Sequence, residues 1–239
     1  MIQLCKNEVR VLTHINEFIS QLSSKLGRPT PTEPPKYVPI DVPHFHLSES
    51  KERASNFMNN WQALGGKGAI VNSHEDTVLC LTEWFGEQQS TCPNKDQAIV
   101  AWDMLPTIAE SAFAALEWPL ARYTQAAKKP RDRYLLASQA ELGVTGADWG
   151  IALSGTLVVN SSPQRGRAIS LLPPRHLTFI EASKLRDNLF EVLEELISLG
   201  VPPSAIEMIS GPSRTSDIEM DLSIGVHGPI EVYVVLISD

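Results

Sequence analysis

The segment AIVNSHEDTVLCLTEWFGEQQSTCPNKDQAIVAW, residues 69–102, contains the pattern from which the fold class follows. Short apolar runs at residues 69–71 and 98–102 are typical of buried strands. Between them, Ser73 and Asp76 have the spacing of a helix-capping box, which predicts the start of a helix. Strand, helix and strand in this order predict a βαβ unit with parallel strands.

The segments on either side continue the alternation. Further helices are predicted over residues 49–64, from Pro106 to about Trp118, and over 184–199. Apolar runs bounded by Gly, Pro or Ser predict additional strands at residues 120–123, 142–145, 149–160, 167–172, 176–181, 206–209 and 232–237. The sequence therefore predicts an α/β fold with a largely parallel sheet, and some antiparallel strands in its second half.

The first 44 residues have a different character. Apolar positions recur at steps of three and four over residues 8–26, which predicts an amphipathic helix that ends at Gly27. Six prolines between Pro29 and Pro43 then predict an extended strap. We expect residues 1–44 to form this helix and strap, and residues 45–239 to form the α/β domain.

Charge and hydropathy exclude several classes of partner. The 20 Lys and Arg against 28 Asp and Glu give a net charge of −8 without a basic run, so no nucleic-acid partner is expected. No apolar run approaches the roughly 20 residues that span a bilayer, so no membrane span is expected.

The cysteines indicate compartment and cofactor. Cys5, Cys80 and Cys92 are widely spaced and form no C-x-x-C pair, so this chain alone is not expected to ligate an iron–sulfur cluster or zinc. Their odd number and the absence of a secretory signal predict a cytoplasmic protein. His44 and His46 form an H-x-H pair without a nearby third ligand, so no metal site is predicted.

The densest group of chemically useful residues begins at Gly211, directly after a predicted strand. Ser213, Arg214 and Thr215 could bind a phosphate or carboxylate, and Ser216 with Glu219 has capping-box spacing. The alternative is a strand-exit loop in which Arg214 pairs with Asp217 or Glu219. The alternation over residues 218–226 is equally typical of a strand.

Three other groups complete the predicted site. His227 lies between Gly225 and Gly228 and could act as a general acid or base. Ser154-Gly155-Thr156 lets a ligand approach the backbone, and Pro173-Pro174 presents Arg175 and His176. We expect these strand ends to converge on one edge of the sheet. The residues predicted to bind ligand are Ser154, Gly155, Thr156, Arg175, His176, Ser213, Arg214, Thr215 and Asp217, with His227 as the candidate catalytic group.

Five motifs in order and spacing resemble those of the lactate-utilisation protein C (LutC/YkgG) family, whose core is the LUD domain. The motifs are Thr145-Gly146-Ala147-Asp148, Ser154-Gly155-Thr156, Leu172-Pro173-Pro174-Arg175-His176, Gly211-Pro212-Ser213-Arg214-Thr215 with Asp217-Ile218-Glu219, and Gly225-Val226-His227-Gly228-Pro229. The resemblance implies a three-layer α/β sandwich of the NagB/RpiA/CoA-transferase-like type, here with an N-terminal helical extension.

The resemblance also implies a function. It predicts the cluster-free subunit of an iron–sulfur system that oxidises L-lactate to pyruvate, with the clusters on two cysteine-rich partner subunits. Leu153 departs from the family pattern, which usually has an acidic residue there, so catalysis by the chain itself is left open. The alternative is a stand-alone enzyme or binding module for a small anionic ligand such as a sugar phosphate, a folate or a CoA ester. NAD chemistry is disfavoured, because no G-x-G-x-x-G opens a helix after a strand.

Overall fold

The computed structural model describes residues 17–27, 49–91, 99–201, 203–216, 222–224 and 227–238. The chain divides into two units, residues 1–44 and 45–239, which we describe separately. In the first unit, helix α1 covers residues 17–26, within the predicted helix. No helix in the described ranges is long and apolar enough to cross a membrane.

A parallel sheet forms the centre of the second unit. Six strands of the described chain pair in the order β1-β12-β7-β4-β2-β3, and every pair is parallel. They are β1 Lys67–Val71, β2 Ile99–Ala101, β3 Ala121–Arg122, β4 Leu142–Gly146, β7 Arg175–Glu181 and β12 Glu231–Ile237. The chain leaves the central sheet twice, between β4 and β7 and between β7 and β12, and forms its other described strands in these two segments.

Those two excursions form a smaller mixed sheet and a hairpin. The sheet has the order β8-β5-β6-β9, in which β5 and β8 are parallel and the other pairs antiparallel. Its strands are β5 Trp149–Ile151, β6 Thr156–Asn160, β8 Leu185–Arg186 and β9 Ile206–Ile209. The hairpin pairs β10 Arg214–Ser216 with β11 Leu222–Ile224.

Helices pack on both faces of the central sheet, and the last helix of the described chain packs on the small sheet. They are α2 Ser50–Ala63, α3 His74–Thr91, α4 Thr107–Ala115, α5 Tyr123–Ala126, α6 Pro130–Gln139, α7 Ala168–Leu171 and α8 Leu189–Ser198, with a 3₁₀ turn at Ala182–Lys184. Helix α3 begins as predicted, because the Ser73 Oγ accepts a hydrogen bond from the Asp76 N–H at 3.1 Å.

Strand β12 shows how the layers arise. Val234 and Leu236 face one apolar core with α2, α7 and the small sheet, whereas Tyr233 and Val235 face a second core with α3 and α4. Because successive side chains of a strand point to opposite faces, one buried strand serves both cores. The layers are helices, central sheet, and a third layer of helices with the small sheet. The predicted three-layer α/β sandwich is confirmed.

Two predicted elements are wrong. Residues 167–172, predicted as a strand, contain helix α7, which packs over β4 where Gly143 lacks a side chain. A Cβ atom on Gly143 would lie 2.0 Å from the Ile169 carbonyl oxygen, so this close tertiary packing outweighs the local strand propensity. Residues 149–160, predicted as one strand, fold into the hairpin β5–β6.

The predicted helix over residues 184–199 is shorter than expected. Its first residues form the 3₁₀ turn and β8, and α8 begins only after Asn188. The Asn188 Oδ1 accepts the N–H groups of Phe190 at 2.9 Å and Glu191 at 3.3 Å, which fixes the start of the helix.

Candidate functional site

A cleft of about 200 Å³ lies at the carboxyl ends of β2, β4 and β7. Trp102 follows β2, Gly146 and Ala147 lie at the end of β4, and Glu181 ends β7. Ligands of open α/β sheets bind outside the carboxyl ends of the strands, at points where the strand order changes. The chain leaves the central sheet directly after β4 and after β7, so this cleft is the position that the topology favours.

A second depression of about 360 Å³ adjoins the cleft. It is lined by Asp103, Met104, Ser162, Gln164 and Arg165, and it shares Met104 and Arg165 with the first. These two side chains therefore stand where the two depressions meet.

Arg165 is the best-anchored cation of the cleft. It ends a tight turn in which Ser162 and Arg165 exchange backbone hydrogen bonds of 3.2 and 3.0 Å. Its Nη1 donates to the Asp148 carboxylate at 2.7 Å, and its guanidinium lies 5.1 Å from the centre of the Trp102 ring. The second Asp148 oxygen accepts the Asn160 N–H at 2.7 Å, so the carboxylate itself is fixed. The guanidinium is thus preorganised over an aromatic face.

Trp102 carries a buried donor without an acceptor. Only 3% of the residue is exposed, and its Nε1 has no hydrogen-bond partner among the described residues. Such an unpaired buried N–H group costs roughly 1–3 kcal/mol, and native structures contain few of them. Other atoms of Trp102 line the cleft, whereas the Nε1 atom itself is buried and does not form part of the cleft surface.

The rest of the rim adds one ion pair and one helix terminus. Lys184 Nζ lies 3.6 Å from the Glu181 carboxylate, and both side chains are partly exposed. Pro106 is the N-cap residue of α4, and no side chain caps the first turn of that helix. The amino end of a helix attracts negative charge. The described chain holds no group of three or more His, Cys, Asp or Glu side chains placed to bind a metal ion.

Arg175 and His176 lie elsewhere than predicted. They begin β7, so they are at the amino end of the sheet rather than at its carboxyl edge. Arg175 Nε lies 3.2 Å from the Glu231 carboxylate, which also binds Lys67 Nζ at 2.6 Å. This hydrogen bond to Glu231 raises the pKa of Lys67. These three side chains connect the first residues of the neighbouring strands β1, β12 and β7. The role of Arg175 here is therefore structural.

His176 is inside the protein. The residue is 1% exposed, and its Nε2 lies 2.9 Å from the Thr145 Oγ1 and 3.3 Å from the Thr178 Oγ1. Burial lowers the pKa of His176 to about 3, so the ring is neutral at pH 7. Its polar atom is satisfied by two threonines and does not face a cleft.

The predicted Ser154-Gly155-Thr156 motif forms the turn against α2. The Ser154 and Thr156 hydroxyls are 2.7 Å apart, and Thr156 Oγ1 lies 2.8 Å from the Ser210 Oγ. Gly155 has a φ of +59°, and a Cβ atom there would lie 2.4 Å from the Trp61 backbone nitrogen. The absence of a side chain therefore admits the backbone of α2, where a ligand was expected.

The Arg214 side chain also contacts α2. Its Nη2 donates to the Leu64 carbonyl at 2.8 Å, at the carboxyl end of that helix. Ser213 N–H bonds the Pro229 carbonyl at 3.0 Å, and His227 nearby is exposed. The structure thus brings this loop close to the Ser154–Thr156 turn, through Ser210 and α2, but not to the cleft.

The outcome for the remaining predicted residues is mixed. Ser216, predicted to start a helical turn, lies with Thr215 in β10, and Asp217 and Glu219 lie outside the described residues. The ligand-binding role of the predicted set stays a prediction. The sequence pattern missed Trp102, Arg165 and Lys184. The sequence did contain a hint of a site at two of these positions. Trp102 stands at the end of a predicted strand, and Arg165 lies in a Ser/Pro/Gly-rich connection, both of which are common places for ligand-binding residues.

Comparisons with known proteins show the family and the fold of this chain. The family model described as the LUD domain matches residues 54–237. Lactate utilization protein C of Bacillus velezensis is 39% identical over 95% of this chain and 97% of its own length, and that of an Exiguobacterium strain is 30% identical over the same shares. A solved structure of a DUF162 family protein from Deinococcus radiodurans shares the fold, with a TM-score of 0.55, 16% identity, and coverage of 80% of this chain and 99% of that one. The chain belongs to the LUD domain family, within the group of lactate utilization protein C.

Proposed function

We propose that this protein serves L-lactate utilisation as the subunit that carries no iron–sulfur cluster, beside two cysteine-rich subunits that carry them. The observation that supports the proposal is the similarity of this chain, over 95% of its length, to proteins named lactate utilization protein C. A match of that extent includes the loops around the cleft as well as the core.

The cysteines support this division of labour. Iron–sulfur clusters are typically held by four cysteine thiolates, and this chain has three cysteines in all, far apart in sequence. Cys80 is buried in α3, where burial raises the pKa of its thiol to about 12. A thiol in that state is a poor metal ligand, because the thiolate is the binding form. The proposed compartment is the cytoplasm, where dispersed thiols stay reduced.

In this proposal, the two electrons released when L-lactate becomes pyruvate pass to clusters on the partner subunits. The contribution of this chain is to bind a small anion and to hold the assembly together. A second candidate function is an independent binding module or enzyme for a small anionic ligand, and the cleft with Arg165 and Lys184 favours it.

The test is anaerobic purification of the tagged chain from cells grown on lactate. Iron, acid-labile sulfide and lactate-dependent dye reduction are then measured on the captured material. The control is the same chain produced alone in a host without the partner genes. We expect cluster iron and lactate-dependent reduction in the captured complex and neither in the lone chain. A stoichiometric cluster on the lone chain, or capture without any iron-containing partner, would refute the proposal.

A further inference from the structure

We propose that the cleft at the carboxyl ends of β2, β4 and β7 binds a small monocarboxylate, and that Arg165 is the residue that holds its carboxylate group. This inference deepens the proposed function by naming a ligand class, and it rests on that function only for the choice of lactate and pyruvate as probes. The site itself is argued from the donors, the charges and the size of the cleft.

Two cationic side chains and one helix terminus of the cleft have donors left open. One guanidinium nitrogen of Arg165 binds Asp148, and no other hydrogen bond of its side chain is made to a described residue. The Lys184 ammonium has its carboxylate partner at the long distance of 3.6 Å, and no side chain caps the first turn of α4. An acceptor bound in the cleft would satisfy donors that the protein leaves open.

The charges favour a single negative charge over two. Arg165 and Lys184 supply two positive charges, and Asp148 and Glu181 already offset them. A phosphate dianion would meet these two carboxylates as well as the cations, whereas a carboxylate brings half that charge. A planar carboxylate also matches the fork of N–H groups on a guanidinium.

The size and walls of the cleft favour a ligand of few atoms. Its own volume of about 200 Å³ is below the roughly 300–1,000 Å³ of pockets that hold drug-sized molecules, and only a longer ligand would extend past Met104 and Arg165 into the adjoining depression of about 360 Å³. Met104, Leu105, Pro106 and Ala147 provide apolar walls, which suit a short carbon chain. The combination of one cationic fork, apolar walls and a small volume describes a short monocarboxylic acid.

Calorimetric titration of the full chain tests the site. The probes are L-lactate, pyruvate and propionate as monocarboxylates, and inorganic phosphate as the dianionic alternative. We expect monocarboxylates to bind at least 10-fold more tightly than phosphate. Arg165→Gln should weaken their binding by about 10-fold or more, because it removes a charge-assisted hydrogen bond.

The matched control is Arg167→Gln. Arg167 lies two residues away on the same connection, does not line the cleft, and has its nearest carboxylate, Glu207, at 3.9 Å. Its loss should leave binding unchanged. If Arg165→Gln fails to fold, Lys184→Gln, at a partly exposed position, replaces it and should weaken binding as well. Equal binding of a monocarboxylate by the wild type and the folded cleft variants would overturn the assignment.

Two further outcomes separate this inference from the proposed function. If the lone chain binds no monocarboxylate, yet is captured with iron-containing partners, the cleft assignment is refuted and the proposed function stands. If the lone chain binds monocarboxylates through Arg165 but captures no such partner, the cleft assignment stands and the proposed function is refuted. Tighter binding of phosphate than of every monocarboxylate would also overturn the ligand class.

Discussion

Replacement of Gly155 by alanine should destabilise the protein through two separate effects. The first is backbone conformation, because Gly155 has a φ of +59°. In that left-handed region a Cβ atom costs roughly 1–2 kcal/mol. The second is packing, because the new Cβ atom would lie 2.4 Å from the Trp61 nitrogen and 2.6 Å from the Asn60 carbonyl carbon. Both of these are backbone atoms of α2, which cannot move as a flexible side chain does.

The expected loss follows from these contacts. Overpacking of this kind typically costs about 1–3 kcal/mol, so the substitution should lower the free energy of unfolding by roughly 2–5 kcal/mol in all. For a chain of this size, each kcal/mol corresponds to about 2–4 °C in Tm. We therefore expect a drop in Tm of roughly 4–20 °C.

The control is Gly200→Ala. Gly200 has a φ of +72° but no atom within 4 Å of the position of a Cβ, so it isolates the backbone effect. Urea unfolding followed by circular dichroism should show a loss of roughly 1–2 kcal/mol for this variant, and a clearly larger one for Gly155→Ala. Equal losses would refute the claim that Gly155 exists to admit α2. A Gly155→Ala variant that is as stable as the wild type but no longer binds ligand would show that Ser154-Gly155-Thr156 belongs to a binding site.

Two other predictions test buried polar groups. Because burial lowers the folded pKa of His176 to about 3 from its ordinary value of 6.5, stability that is present above pH 6.5 should be lost as the pH falls from 6.5 to 3, by about 1 kcal/mol per pH unit. His176→Gln should flatten that slope in urea titrations, and an unchanged slope in this variant would contradict the assignment. Trp61 Nε1 donates to the Lys67 carbonyl at 2.9 Å, whereas the Trp102 Nε1 has no described acceptor. Trp61→Phe should therefore cost roughly 1 kcal/mol more than Trp102→Phe, and equal costs would contradict the hydrogen-bond assignment.

Local signals predicted the parts of the fold that depend on local physics. The start of α3 follows from the Ser73 hydroxyl and its hydrogen bond to the Asp76 N–H, both encoded within four residues. The strands of the central sheet follow from apolar runs that are buried on both faces. Helix α7 does not, because its conformation depends on the contact of Ile169 with Gly143, which is distant in sequence.

The candidate site could be predicted only in part. In sequence, Pro173-Pro174 could either precede a strand or follow one. In the structure it precedes β7, so Arg175 and His176 lie at the amino end of that strand, opposite the cleft. The cleft residues are single side chains on three separate connections, and only the order of the strands brings Trp102 and Arg165 together. Sequence alone does not contain that order.

The most direct test of the account measures lactate-dependent electron transfer in extracts of cells that lack this chain. Anaerobic extracts of the deletion strain should reduce an artificial dye with L-lactate far more slowly than extracts of the parent strain. Addition of the purified, iron-free chain should restore the rate, and addition of the Arg165→Gln variant should restore less of it. An undiminished rate in the deletion extract would contradict the central claim that this protein is a working component of lactate oxidation.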